Sequence, residues 1–84
     1  MKVFELIEMF HRHDPNREVI LQKDAEGNGY SPLEELWIGA YRPETTWSGE
    51  AGLDELTEQD IEDGYTEDDV IEDGQKALFL VPIN

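Results

Sequence analysis

Ala77-Leu78-Phe79-Leu80-Val81, closed by Pro82, is a continuous apolar run near the end of the chain. A run of this kind suits a central strand covered on both faces, and proline, with no N–H to donate, ends the ladder. Two further stretches read as strands. Glu18-Val19-Ile20-Leu21-Gln22 is short and rich in β-branched and apolar residues, and Leu36-Trp37-Ile38-Gly39-Ala40-Tyr41 follows on from Pro32 and Leu33. Between them, Asp24-Ala25-Glu26-Gly27-Asn28-Gly29 is a turn, with two glycines and an asparagine available for positive φ. Arg42 to Gly52, holding Pro43, Gly49 and Gly52, reads as a loop. At the other end of the chain Val3, Leu6, Ile7 and Phe10 recur at i, i+3, i+4 and i+7, the stripe of an amphipathic helix, widened by Phe4 and Met9. Pro15 disfavours helical geometry at Asp14, so the helix is expected to stop near His13. The pattern predicts an α+β fold: an N-terminal helix packed on a small, mainly antiparallel sheet. Its strands fall near residues 18–23, 35–41 and 77–82, with an acidic helical or loop excursion at 53–74 before the C-terminal strand.

The length predicts a single domain over residues 1–84, which buries about 60–65% of its unfolded surface. The absence of cysteine removes disulfides and thiolate metal sites and fits a reducing compartment. Met1 to Phe10 carries Glu5 and Glu8 and lacks the unbroken apolar run of a signal peptide or membrane span. A soluble protein that stays in the cytoplasm where it is made is the expectation.

Charge is distributed unevenly. Residues 1–42 carry 8 acids and 5 bases, whereas residues 43–84 carry 13 acids and Lys76 alone. Nucleic acid and anionic membranes would repel such a segment, which suits a basic partner or a cation. Evenly spread acidity would be read as a solubility device, but concentration in one half points to a working surface.

That half holds an approximate repeat. Thr57-Glu58-Gln59-Asp60-Ile61-Glu62-Asp63-Gly64 is echoed by Thr66-Glu67-Asp68-Asp69-Val70-Ile71-Glu72-Asp73-Gly74. Each copy opens with a threonine able to cap a helix and an acid three residues on that can return the bond, and each closes with a glycine suited to a left-handed C-cap. Two short acidic helical turns follow. For the second copy a rival reading makes Asp73-Gly74 the turn of a hairpin joining Val70-Ile71 to Ala77-Leu78, and part of 50–74 also has the composition of a disordered segment.

The sharpest local motif, Asp24 to Glu35, resembles the twelve-residue calcium loop of EF-hand proteins. The resemblance implies side-chain oxygens from Asp24, Glu26 and Asn28, the Tyr30 carbonyl and a bidentate Glu35 as ligands. Two features depart from the family: Ser31 stands where an aliphatic residue belongs, and Glu18 to Lys23 reads as strand where a helix should enter. The competing reading is a loop that uses Gly27, Asn28 and Gly29 for backbone freedom. His11 and His13, one residue apart, point about 200° apart on a helix and cannot share a metal. No set of nucleophile, base and acid suggests itself, and no glycine-rich loop precedes a lysine and a helix. The expectation is a protein that is not an enzyme and uses no cofactor, with calcium as the alternative. Trp37, inside an apolar run, is assigned to the core. Trp47, in the polar loop Thr45-Thr46-Trp47-Ser48-Gly49, is either folded over a core edge or an interface anchor.

The first half resembles a group of small, mostly uncharacterised proteins encoded by bacteriophages. The likeness rests on Val3-Phe4-Glu5-Leu6-Ile7, Asp14-Pro15, Glu18-Val19-Ile20-Leu21 and the stretch from Asp24 to Leu33, and covers roughly residues 2–43. It implies a phage origin and the host cytoplasm, and it transfers no catalytic residue. In size and charge the chain is also similar to phage inhibitors that imitate DNA and occupy the basic groove of a host enzyme. The function expected is therefore a non-enzymatic inhibitor that binds a basic, DNA-handling or defence protein of the host. Its candidate contacts are Glu55, Glu58, Asp60, Glu62, Asp63, Glu67, Asp68, Asp69, Glu72 and Asp73, with Trp47 beside them. Carboxylates at i, i+3 and i+4 on a helix stand about 5–6 Å apart at Cβ, a spacing able to approximate successive phosphates. The alternatives are the calcium-binding loop at 24–35 and an accessory role in virion assembly.

Overall fold

The computed structural model describes residues 1–84 and is α+β: a short N-terminal helix, a mainly antiparallel four-stranded sheet, and a further helix before the C-terminal strand. The elements are α1 (Val3–Phe10), β1 (Ile20–Gln22), β2 (Tyr30–Pro43), β3 (Gly49–Gly52), α2 (Glu58–Glu62), a 3₁₀ turn at Glu67–Asp69, and β4 (Gln75–Pro82). The chain forms two compact units. One comprises Met1–Glu35 and Leu80–Asn84, the other Leu36–Phe79.

The strand that pairs with all the others is β2, not the C-terminal apolar run expected to be central. Its early part pairs with β1, in the register Ile20↔Pro32 and Gln22↔Tyr30, and its late part with β3, in the register Ala40↔Gly52 and Pro43↔Gly49. Length explains the difference: 14 residues offer one ladder at each end, and β4 takes its place against the same strand. The Arg42–Gly52 stretch read as a loop is thus largely a hairpin, with only Glu44 to Ser48 left as its turn. Nothing in its composition announces a strand, because Gly49-Glu50-Ala51-Gly52 has low β-propensity and is held by its ladder with β2.

In the first unit, α1 ends at Phe10, and His11 closes it by donating its N–H to the Ile7 carbonyl at 3.1 Å. Lys2 has no side-chain acceptor for an N-cap, so only Glu5 contributes, accepting the Lys2 N–H at 2.9 Å. Asp14 turns the chain towards β1, its carboxylate accepting the Asn16 N–H at 2.9 Å. Ser31 is buried, and its hydroxyl accepts the Asn84 N–H at 3.1 Å. The helix itself buries no residue fully, and of its apolar stripe only Leu6 is half-buried.

In the second unit the one buried apolar side chain is Ala40. Gly52 belongs here for a steric reason: a Cβ on it would stand 2.8 Å from the Asp69 carbonyl oxygen and 2.9 Å from Ile71 Cγ1. That close approach lets Leu53 form a parallel bridge with Val70, in which the Leu53 N–H donates to Asp69 and the Ile71 N–H to Leu53, each at 2.9 Å. Trp37, assigned to the core from its apolar neighbours, is 57% exposed, and Leu36 and Ile38 beside it are exposed too. The error lies in taking a run of apolar residues as evidence that something covers it.

Candidate protein-binding surface

The acidic segment is built from its threonines outward. Thr57 Oγ1 accepts the Asp60 N–H at 3.1 Å, and the Asp60 carboxylate accepts the Thr57 N–H at 3.0 Å and the Thr57 hydroxyl at 2.8 Å. This reciprocal box satisfies N–H groups that a helix start leaves without intrahelical partners, and it places acids where the helix dipole favours them. Gly64, at φ 95°, ends the turn in the left-handed region. The second copy repeats the opening: Thr66 Oγ1 accepts from the Asp68 N–H at 3.3 Å and Asp69 accepts from the Thr66 N–H at 2.9 Å. It then departs from the pattern. Gly74 has no positive φ, Ile71–Gly74 is a turn leading into β4, and Val70 pairs with Leu53 in place of the expected hairpin partner.

These contacts divide the ten candidate acids into two kinds. Asp60 and Asp69 are occupied by capping, Asp63 accepts from Gln59 Nε2 at 3.1 Å, and Asp73 accepts from Arg42 Nη1 at 2.9 Å. The other six, Glu55, Glu58, Glu62, Glu67, Asp68 and Glu72, are exposed, and their carboxylates make no hydrogen bond or ion pair within the chain. They are the part of the surface free to meet a partner.

Arg42 is the residue at the edge of the candidate surface whose pairing the sequence reading missed. Its guanidinium pairs with Glu50 on β3 and with Asp73, 31 residues away in sequence. Hydrogen bonds to Glu50 first and Asp73 second hold it above its ordinary pKa. Arg42 and Lys76 are the only bases in the second unit, against 13 acids. With Arg42 paired to Glu50 and Asp73 on the exposed surface, Lys76 is the one base of the second unit that pairs with no acid. The signal was present in the sequence as a lone arginine bordering a segment without bases, but its two partners depend on the hairpin and on the turn before β4.

Trp47 stands at the tip of the β2–β3 hairpin and is 83% exposed, which removes the reading in which it folds over a core edge. The tip is held by Thr45, whose Oγ1 accepts the N–H groups of Trp47 at 3.1 Å and Ser48 at 2.9 Å. The Ser48 carbonyl in turn accepts from Glu44 and Thr45, each at 3.0 Å. An aromatic on a turn fixed by its own hydrogen bonds loses little backbone freedom on binding.

The calcium-like loop has a different internal order. Asp24 Oδ1 accepts the N–H groups of Glu26 at 2.9 Å and Asn28 at 3.2 Å, and Gly27 turns the chain at φ 79°. Those bonds, that from Asn28 foremost, hold the Asp24 carboxyl below its ordinary value. Its contribution to stability is therefore present above that value and is lost as pH falls through the lowered one. Tyr30 opens β2 and Glu35 lies farther along the same strand, where the calcium loop of the family would begin a helix. No three His, Asp or Glu side chains are gathered so as to hold a metal ion, and no helix is long and apolar enough to cross a membrane.

No family model, curated protein or solved structure matches the chain.

Proposed function

We propose that the chain is a non-enzymatic, phage-encoded inhibitor that binds a basic DNA-handling protein of the host cytoplasm and occupies the place of DNA. The observation that carries this reading is the set of six exposed carboxylates without partners in the chain, on a segment whose arginine is already engaged by Glu50 and Asp73. A field left uncompensated in this way attracts a basic groove, speeds encounter and rejects nucleic acid. The capping boxes support the same reading, because they fix the backbone that carries the acids before any partner arrives. Trp47 supplies what charge alone does not, a desolvated anchor that slows dissociation.

The test is competition. The chain is immobilised, proteins retained from host lysate are identified, and each is purified and titrated with a DNA duplex. A basic protein whose binding to the chain is displaced by DNA, and weakens as salt rises, supports the proposal. A partner that holds the chain and a duplex together, without mutual interference, overturns it. Within the complex Trp47→Ala is expected to cost at least about 2 kcal/mol, roughly thirtyfold in affinity, through the dissociation rate and with little salt dependence.

A further inference from the structure

The helical copy of the repeat carries two apolar side chains that stand in solvent. Ile61 on α2 is 58% exposed, and Tyr65, just past the helix, 46%. In the second copy the residue matching Ile61 is Val70, which is half-buried and bridged to Leu53. The end of α2 accounts for Tyr65. Its N–H donates to the Asp60 carbonyl at 2.9 Å, and the Gly64 N–H donates to the Ile61 carbonyl at 3.1 Å, the two bonds of a Schellman cap. Such a cap commonly packs the residue after the glycine on an apolar side chain five or six positions back. In this chain those positions are Asp60 and Gln59, both polar and engaged in side-chain hydrogen bonds of their own. Backbone bonds therefore hold Tyr65 in place while its ring lacks that usual cover, and its hydroxyl makes no hydrogen bond within the chain.

Charge decides what meets this pair. Glu58 lies one helical turn before Ile61 and Glu62 directly after it, so two acids one turn apart border the apolar side chain. Neither carboxylate has a partner within the chain. The unit that carries them has 13 acids against two bases, so it repels a second copy of itself as it repels DNA and anionic membranes. An apolar partner without bases would strip water from Glu58 and Glu62 and return nothing to them. A partner with bases alone would leave Ile61 and Tyr65 uncovered. We propose that α2 and Tyr65 bind a basic amphipathic segment of a partner protein, in which Lys or Arg residues one helical turn apart meet Glu58 and Glu62 and an apolar residue between them packs on Ile61 and Tyr65. The inference rests on the reading of the acidic segment as a surface for a basic protein and narrows it. Charge draws the partner in, and the apolar pair selects which basic segment is retained. Caps at both ends of α2 fix the backbone beforehand, which lowers the entropy lost on binding.

The test uses the full chain and two synthetic peptides of identical composition, built from Lys, Leu and Ala. In the patterned peptide each Leu is flanked by Lys on one helical face, and in the reordered peptide Leu and Lys occupy opposite faces. The patterned peptide should bind on the order of tenfold more tightly, mainly through slower dissociation. Ile61→Ser and Tyr65→Ser should each remove most of that preference and leave affinity for the reordered peptide unchanged. Ile61→Leu and Tyr65→Phe, which keep the apolar area, should retain it. Hydrogen-exchange protection at the Asp60 N–H checks that the turn is intact in every variant. Equal affinity for the two peptides overturns the inference and leaves the acidic surface standing, as does a preference that survives both serine variants or is lost in Trp47→Ala alone. A host protein that holds the chain and a DNA duplex together overturns the displacement of DNA instead, and leaves this contact standing.

Discussion

The two copies of the acidic repeat begin alike and end differently. Thr57 and Thr66 both cap, and Asp60 and Asp69 both return the bond. Yet the first copy forms five residues of α-helix, Glu58–Glu62, closed by a left-handed Gly64, while the second forms three residues of 3₁₀ turn and is extended by Val70, at φ −88° and ψ 130°. The difference lies downstream of the box. Ile61-Glu62-Asp63 has no strand to join, whereas Leu53 bridges Val70 by donating its N–H to the Asp69 carbonyl and accepting the Ile71 N–H. Adjacent β-branched side chains also fit an extended backbone better than a helical one. A cap decides where a helix starts, and a tertiary pairing decides how far it runs.

The largest effect should come from removing that pairing. In Gly52→Val the new Cβ would meet the Asp69 carbonyl oxygen, which belongs to rigid backbone, so Leu53 must move away from Val70. A loss of about 1–3 kcal/mol is expected, the range for overpacking a close contact. Hydrogen exchange should show the Ile71 N–H opening faster, with the Asp60 N–H unchanged. If the Ile71 N–H keeps its protection, the bridge is not what separates the two copies.

Next in size are the caps. Thr57→Ala should cost about 1 kcal/mol, and Thr66→Ala roughly half of that. The second bond is longer, 3.3 Å against 3.1 Å, and the turn it starts is shorter. The glycines should also part company. Gly64→Ala meets nothing within 4 Å but is strained at φ 95°, at a cost of about 1 kcal/mol, whereas a methyl on Gly74 would press on Ile71 Cγ2 at 2.8 Å without backbone strain. Equal costs within each pair, by denaturant unfolding, would mean that the copies are energetically equivalent despite their shapes.

How much of this was legible follows the same division between local and distant causes. The α1 stripe, both threonine caps, the Gly64 turn and the strands around Ile20, Trp37 and Phe79 rest on neighbours within a few residues, and the chain states them directly. Strand β3, the Arg42 clamp and the Leu53 bridge each need a partner from elsewhere, and a segment such as Gly49-Glu50-Ala51-Gly52 carries no mark of it. Of the candidate surface, the acids were legible as a set. Their division into capping, paired and unengaged groups was not, because one side-chain type serves all three uses. Trp47 was visible as a residue of interest, and only the hairpin removed the reading in which it folds over a core edge.

The smallest effects belong to the unengaged acids, and they test whether the copies differ in function as they do in shape. Glu58 and Glu62 project from the helical copy, and Glu67 and Asp68 from the 3₁₀ copy. Each pair is neutralised in turn, as Glu58→Gln with Glu62→Gln and as Glu67→Gln with Asp68→Asn. Because none of the four carboxylates has a partner in the chain, stability should move by no more than about 0.5 kcal/mol. Asp60→Asn and Asp69→Asn provide the contrast, since those carboxylates hold the boxes and their loss should register in unfolding. On a basic partner each neutralised charge should slow association on the order of twofold and leave dissociation nearly unchanged, with the difference fading as salt rises. If the field as a whole guides encounter, the two pairs should act equally and additively. If one copy makes the contact, its pair alone should also raise the dissociation rate, and the surface narrows to that turn. Association rates that ignore all four changes would show that the acidity serves solubility and that the partner is held elsewhere.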